Sequence, residues 1–408
     1  MLLSGGRVID PAQELDRRID VRVEGDRIVD LGEHLKPHDD EDVFDARDAF
    51  VAPGFIDMHV HLREPGFPEK ETIATGCAAA AAGGFTAIAC MPNTDPTIDS
   101  AQTIGRVVEA ATATGLSRVY PIAAITAKRE GRELLDYAAL AAAGAVAFSD
   151  DGQGVDDSSV LFEAAMRAEA IMGPFISHCE DERLKRRGMA IAEDVAVARD
   201  LVIAQSTAKA WHIAHVSTAG SLELIRGARS YGSAVTCEVT PHHLYFTEEL
   251  RAQWAGKANV NPPLRRQSDV AALRVGVMDG TIDAFASDHA PHELHEKARE
   301  DDSAPPGFSG LEIAAGAYAL AVPDLPLKRY VELLSTNPAR ILNVSGGSLR
   351  LGSAADITVF ADRSWVVDAA QFHSKGRCTP FEGHRLPRKV IATLVAGRFV
   401  MRDGTVQK

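Results

Sequence analysis

Gly54-Phe55-Ile56-Asp57-Met58-His59-Val60-His61 is the stretch on which the fold and the chemistry of this chain turn. The apolar run followed by His-Val-His has the alternation of a β-strand. Residues two apart on a strand share a face, so His59 and His61 can carry two imidazoles toward one ion. An isolated His-x-His is as readily a pair of surface or core histidines. The rest of the chain decides between these readings.

Outward from that stretch, short runs rich in Val, Ile, Phe and Ala alternate with longer amphipathic segments from Gly54 to about Asp288, the pattern of repeated βα units around a parallel sheet. Eight strands are predicted, at Phe55 to His61, Phe85 to Met91, Arg118 to Ala124, Ala145 to Ser149, Pro174 to His178, His212 to Val216, Ala234 to Val239 and Ile282 to Ser287. Between them, Ala101 to Gly115, Glu133 to Gly144 and Ser158 to Gly173 have helical periodicity and stop at glycine. Eight units imply an α/β fold with a closed (β/α)8, TIM-like barrel over residues 53–343. The flanks differ. Residues 1–52 and 344–408 show short alternating stretches with turn signals, as in Ile19 to Val29, Asp356 to Phe360 and Val390 to Val395. Both ends are expected to pair into one small, β-sandwich-like domain beside the barrel.

Barrel enzymes build their sites at the C-terminal ends of the strands. The first predicted strand ends in His59 and His61, the second runs into Asn93 and the fourth into Asp150 and Asp151. The fifth ends at His178, the sixth carries His215 near its end, and the eighth runs into Asp288. Chance scattering would have put many of these on helices or at strand starts.

Composition narrows the function classes. The chain has 408 residues, 46% apolar and 25% charged, with 43 Lys plus Arg against 57 Asp plus Glu and a net charge of −14. No basic stripe with interleaved aromatics appears, which argues against nucleic acid or an anionic membrane and for a small-molecule substrate. The five cysteines, Cys77, Cys90, Cys179, Cys237 and Cys378, have no CxxC spacing and fit a reducing cytosol rather than a disulfide framework. A start that meets charge at Arg7 and the lack of a long uncharged apolar span speak against a signal peptide or membrane helix, so a cytoplasmic protein is expected.

Four histidines and two aspartates exceed the needs of one tetrahedral ion and suit two, with a bridging carboxylate. The chemistry this suggests is attack of hydroxide on a polarised carbonyl.

The run from Gly54 to Gly66, which includes Leu62-Arg63-Glu64-Pro65-Gly66, resembles the signature of class I dihydroorotases in the amidohydrolase superfamily. Met91-Pro92-Asn93-Thr94, Asp150-Asp151-Gly152, Ser177-His178-Cys179-Glu180-Asp181, His215-Val216-Ser217-Thr218 and Ser287-Asp288-His289-Ala290-Pro291-His292 extend the resemblance in order over nearly the whole chain. It implies zinc-dependent, reversible interconversion of dihydroorotate and N-carbamoyl-aspartate in pyrimidine biosynthesis. By the same resemblance His59 and His61 hold one zinc, His178 and His215 the other, and Asp151 bridges them. Spacing alone does not choose between Asp150 and Asp151. Asp288 is implied as a ligand of the first zinc and as the proton shuttle. A guanidinium suits the substrate carboxylate, and Arg63 emerges beside the metals. The resemblance adds Asn93 and His292 to that clamp and brings Asn261 and the backbone at Pro306 and Gly307 to the ring.

Other residues take plainer readings: Cys179 is expected to pack beside a ligand, although a thiolate there could occlude the site, and His242 and His243 include at least one structural histidine. His34, His38, His295, His373 and His384 are assigned to surface or loops, and Glu300-Asp301-Asp302 to a solvated loop. Between His178 and His215 the chain is shorter than the resemblance leads one to expect, passing through a short segment from Asp181 to Gly188 before a helix that begins near Ala192-Glu193. Two rival readings remain: a hydantoinase or allantoinase, disfavoured because no lysine stands at the bridge and by the Arg63 and Asn93 pair, and a metal-free scaffold for aspartate carbamoyltransferase, disfavoured by the complete ligand set. A homodimer and a complex of an active chain with that transferase both fit the resemblance.

Overall fold

The computed structural model describes residues 1–185, 189–299 and 303–407. Glu300-Asp301-Asp302 lies outside the described residues, as do Arg186, Arg187 and Gly188 of the short segment.

Eight parallel strands follow one another in chain order around the sheet. They are β1 Phe55–Val60, β2 Phe85–Cys90, β3 Arg118–Ala123, β4 Ala147–Phe148, β5 Phe175–Ser177, β6 Trp211–Ile213, β7 Thr236–Val239 and β8 Ala284–Phe285. The ring closes beyond β8, where the His61 N–H donates to the His289 carbonyl at 2.8 Å and Val60 bridges to His289 in parallel. The architecture is thus a TIM-like barrel. Several strands are shorter than the sequence predicts, and the reason is local. His215 and Asp288 sit just past β6 and β8 with φ of 34° and 45°, values incompatible with a strand, so the chain turns at the residues it must aim inward.

An apolar layer lies on each face of the barrel sheet. Ile56 and Met58 of β1, Ala87 and Ala89 of β2, Ile122, Ala147, Ile176 and Ala284 make one buried cluster, closed off by Ala339 and Leu342. Small alanines suit the confined interior of a barrel. Phe55, Phe85, Phe148, Phe175 and Phe285 belong to the larger cluster that packs under the helices. β1 contributes Ile56 to the first cluster but Val60 to the second, so its side-chain phase slips by one within the strand, where pairing with β2 also shifts between Asp57 and Val60.

The helices start and stop where side chains permit. α1 (Ile73–Gly83) begins at a Thr72–Thr75 capping box and ends at Gly84, whose φ is 89°. A Cβ at Gly84 would meet Thr358 and Val390 of the terminal sheet at 2.9 and 3.0 Å, so the position needs glycine on two counts. α2 (Ala101–Thr114) matches its predicted span. α3 is only Tyr137–Ala142, because Thr126 and Leu134 pair as an isolated bridge and Asp136 then caps the helix. α4 (Ser158–Arg167) stops short of Gly173, and α5 (Met189–Gln205) begins a few residues before the expected Ala192.

The chain ends interleave. In a seven-stranded sheet, Phe50–Pro53 lies between Arg7–Asp10 and Ile357–Ala361, with Lys389–Val395 and Arg398–Arg402 beyond. A four-stranded sheet of Arg27–Gly32, Asp20–Glu24, Leu2–Ser4 and Val43–Asp45 shares its core through Leu3, Val21, Val51, Val359 and Leu394. The stretch around Ser374 instead crosses back to the barrel: the Ser374 hydroxyl donates to Glu71 at 2.5 Å, and the Ser309 N–H donates to the Cys378 carbonyl at 2.8 Å.

Candidate metal centre

The strand ends bring the sequence-predicted residues to one cavity of about 180 Å³ at the C-terminal mouth of the barrel. Its walls are His61, Arg63, Asn93, Asp151, Gly152, His178, His215, Asn261, Asp288, Ala290, His292, Pro306 and Gly307. His59 lies fully buried beneath. Gly307, with φ of 137°, lets the wall approach closely, since a Cβ there would stand 2.5 Å from the Ala290 carbonyl.

Asp151 occupies the middle. Its carboxylate oxygens stand 3.4 Å from His59 Nε2, 3.7 Å from His61 Nε2, 3.5 Å from His178 Nδ1 and 3.8 Å from His215 Nε2. These are long for hydrogen bonds. Two atoms each about 2.1 Å from one tetrahedral ion stand roughly 3.4 Å apart, so the spacing is that of groups sharing a cation. His59, His61 and Asp151 form one candidate group of metal ligands and Asp151, His178 and His215 another. Asp288 stands beside the first, with Oδ1 3.1 Å from His61 Nε2 and 3.6 Å from His59 Nε2.

The neighbours of each ring decide which nitrogen faces inward. His59 donates from Nδ1 to Glu238 at 2.7 Å, His61 from Nδ1 to Asn93 Oδ1 at 2.8 Å, and His178 from Nε2 to Glu180 at 3.0 Å. Their remaining nitrogens face inward toward Asp151, that of His61 also toward Asp288 and that of His178 also toward His215 Nε2 at 2.9 Å. His59 Nε2 and Asp151 Oδ1 are buried and have no hydrogen-bond partner. Buried polar atoms are rarely left so, and a divalent cation would satisfy both. The residues therefore fit the metal that the donor set implies.

The electrostatics point the same way. Burial disfavours charge on His59 and His178, but Asp151, with Glu238 for the first and Glu180 for the second, outweighs it, leaving His59 well above the ordinary imidazole value and His178 up to about 9. Burial alone would raise the carboxyls of Asp151 and Asp288, yet the surrounding imidazoles hold both well below the usual range. Cation and anion character alternate across the site, with no lysine among its lining residues.

Asp150 points elsewhere. It accepts the Ile125 and Thr126 N–H groups at 2.8 and 3.1 Å and the Thr126 hydroxyl at 2.5 Å. Of the two candidates for the bridge, only Asp151 reaches the histidines. At the mouth, Arg63 (φ 59°) donates from Nε to the Pro291 carbonyl at 3.2 Å, and His292 Nε2 stands 3.1 Å from Arg63 Nη2 and 3.0 Å from the Pro306 carbonyl.

Residues that support this centre were invisible as such in the sequence. Glu238, fully buried, joins His59 to His212, whose Nε2 lies 3.2 Å away. Asp57 accepts the His59 and Ser287 N–H groups at 3.1 Å each, restoring partners where the β1 ladder slips, and burial pushes its carboxyl up to about 7. Arg129 donates to the Asp151 carbonyl at 2.7 Å. The one signal that could have pointed to Glu238 and Asp57 is that a carboxylate inside an apolar strand, if it faces inward, needs a buried partner. Cys179 packs against Asp200, its thiol 3.6 Å from that carboxylate and driven well up by burial. His243 is held by Thr240 at 2.7 Å and the Pro262 carbonyl at 2.9 Å, a structural histidine, while His242 packs edge-on to Phe308. His34, His38 and His295 are exposed, and His373 and His384 partly so.

Comparison with known proteins adds kinship. Residues 49–221 match the family described as Dihydro-orotase-like. The chain is 43% identical to a dihydroorotase of Syntrophus aciditrophicus, over 99% of each chain, and 45% identical to one of Pelotomaculum thermopropionicum over the full length of both. Among solved structures, the L-hydantoinase of Arthrobacter aurescens superposes with a TM-score of 0.89 over 100% of this chain and 97% of its own, at 24% identity, a likeness of fold. Full-length identity at that level, with histidines and aspartates gathered at the barrel mouth, places the chain in the dihydroorotase family.

Proposed function

We propose that the chain is a dihydroorotase, a hydrolase of a cyclic amide that interconverts L-dihydroorotate and N-carbamoyl-L-aspartate. The observation that carries this reading is the Asp151 carboxylate set among four imidazoles beside an arginine-lined cavity, in a chain of that family. His59 and His61, with Asp288, would hold one zinc and His178 and His215 the other, with Asp151 between them. When bound, the zinc ions supply Lewis acidity toward the scissile carbonyl and make hydroxide available near neutral pH.

The remaining work falls to side chains. Asp288, held ionised by its imidazole neighbours, accepts the proton of the attacking nucleophile at its carboxylate and passes it to the ring nitrogen, which leaves poorly as an anion. Arg63 and Asn93 bind the substrate carboxylate, His292 completes that clamp from beside Arg63, and Asn261 with the backbone at Pro306 and Gly307 orients the ring. In the direction of synthesis the same proton travels back. The cavity's polar wall and small volume suit a compact anionic ring.

The five buried, unpaired cysteines suit a reducing cytoplasm, and among the described residues no helix is long and apolar enough to cross a membrane. Association as a homodimer, or with aspartate carbamoyltransferase, belongs to the same reading. So does the division into a barrel over 53–343 and a small β-domain from 1–52 plus 344–408.

The test is a dihydroorotate hydrolysis assay on zinc-loaded protein. Asp288→Ala is expected to lose nearly all turnover, and Arg63→Ala to raise KM with some loss of kcat. Preferential turnover of hydantoin or allantoin by the wild type would overturn the reading, as would less than one ion per chain with no rescue by added zinc.

A further inference from the structure

Lys70 belongs to no part of the mechanism above, yet its ammonium reaches the rim of the same cavity. It stands 3.4 Å from His292 Nδ1 and 3.1 Å from Glu296 Oε1. His292 is buried among three cations, Arg63, Lys70 and Lys297; burial and these neighbours drive its imidazole down to about 2, so the ring is neutral and has one N–H to place.

Where that hydrogen sits is decided by its neighbours. An ammonium is a donor only, so its approach to Nδ1 requires a lone pair there. The hydrogen then sits on Nε2 and points at the Pro306 carbonyl 3.0 Å away. The other tautomer would set an N–H against the Lys70 ammonium and a lone pair against that carbonyl, and Glu296 Oε2, at 3.6 Å from Nδ1, is too far to compensate. With Nε2 protonated, Arg63 Nη2 at 3.1 Å meets a donor rather than an acceptor. The guanidinium, whose Nε is already engaged with the Pro291 carbonyl, then has an Nη2 that faces a donor and can turn to an incoming acceptor.

We propose that Lys70 is a positioning residue for substrate recognition: by fixing His292 as the Nε2–H tautomer it keeps Arg63 Nη2 from pairing with the ring and ready for the substrate's carboxylate. This rests on the dihydroorotase reading for the identity of the substrate, while the tautomer itself does not. Lys70→Met keeps the length of the side chain and removes the donor. It lets the ring hydrogen move to Nδ1, and His292 then accepts from Arg63 and competes with the substrate.

The experiment combines kinetics with nitrogen-15 NMR of the histidine rings of the zinc-loaded enzyme, the His292 signals being assigned by their loss in His292→Asn. The expected wild-type pattern is protonated Nε2 and bare Nδ1. Lys70→Met is expected to shift this pattern and to raise KM for dihydroorotate roughly tenfold with kcat little changed, at unaltered zinc content, while Lys70→Arg restores both. A wild-type ring protonated on Nδ1 overturns the proposal even if Lys70→Met fails to fold, and so does a Lys70→Met enzyme with an unchanged ring pattern and KM. Absence of dihydroorotate turnover in the wild type would instead defeat the assigned substrate and leave the tautomer result to be read by itself.

Discussion

At the scale of residues, two adjacent aspartates have opposite tasks. Asp151 faces four imidazoles, whereas Asp150 is consumed by the Ile125 and Thr126 backbone and the Thr126 hydroxyl. Asp151→Ala is therefore expected to lose bound metal, measured as zinc per chain after dialysis. Asp150→Ala is expected to retain more of its metal but to melt at lower temperature, since it strands buried N–H groups at a cost of about 1–3 kcal/mol each. That an aspartate follows the fourth strand at the barrel mouth was legible in the sequence; which of the two faces the histidines was not. Successive residues at a strand end point opposite ways, and β4 stops at Phe148, sooner than its apolar pattern suggests. The positive φ of Arg63, His215 and Asp288 was equally hidden, because nothing in these residue types announces a left-handed backbone.

Elements explain why those side chains converge. β1 delivers both His59 and His61 only because its phase slips, with Asp57 satisfying the His59 N–H where the ladder is disturbed, and Glu238 on β7 crosses the barrel floor to hold the His59 ring. Glu238→Gln keeps the shape but weakens the acceptor that fixes the ring's orientation. A loss of roughly 10- to 100-fold in metal affinity is expected, read by competition with a chelator. The eight strands were legible because their periodicity and their terminal histidines and aspartates agree. Glu238 was not, since one carboxylate in Thr236-Cys237-Glu238-Val239 looks like an outward-facing position until the sheet closes around it. Helix ends were read well where a glycine stops the helix, as at Gly115, and poorly where a bridge takes the chain first, as before α3.

For the whole molecule, the charge at the barrel mouth ties metal loading to pH. With His178 up to about 9 and His59 well above its usual value, protons occupy nitrogens that a cation needs. Raised imidazole values mean that the proton competes up to higher pH, so apparent zinc affinity should strengthen from pH 6 toward pH 9, with protons released on binding. Calorimetry in buffers of different ionisation enthalpy measures that release, and an affinity flat across this range would contradict the assignment. The ends of the chain bear on the same centre, for Phe50–Pro53 leads into β1 yet pairs with Ile357–Ala361, and Ser374 touches Glu71, which lies 3.1 Å from His289 at the closing seam. A ribosome making this polypeptide must therefore translate every βα unit before that early strand meets its late neighbour. Until then the nascent protein trails an open sheet edge, the kind of surface that invites wrong partners during synthesis.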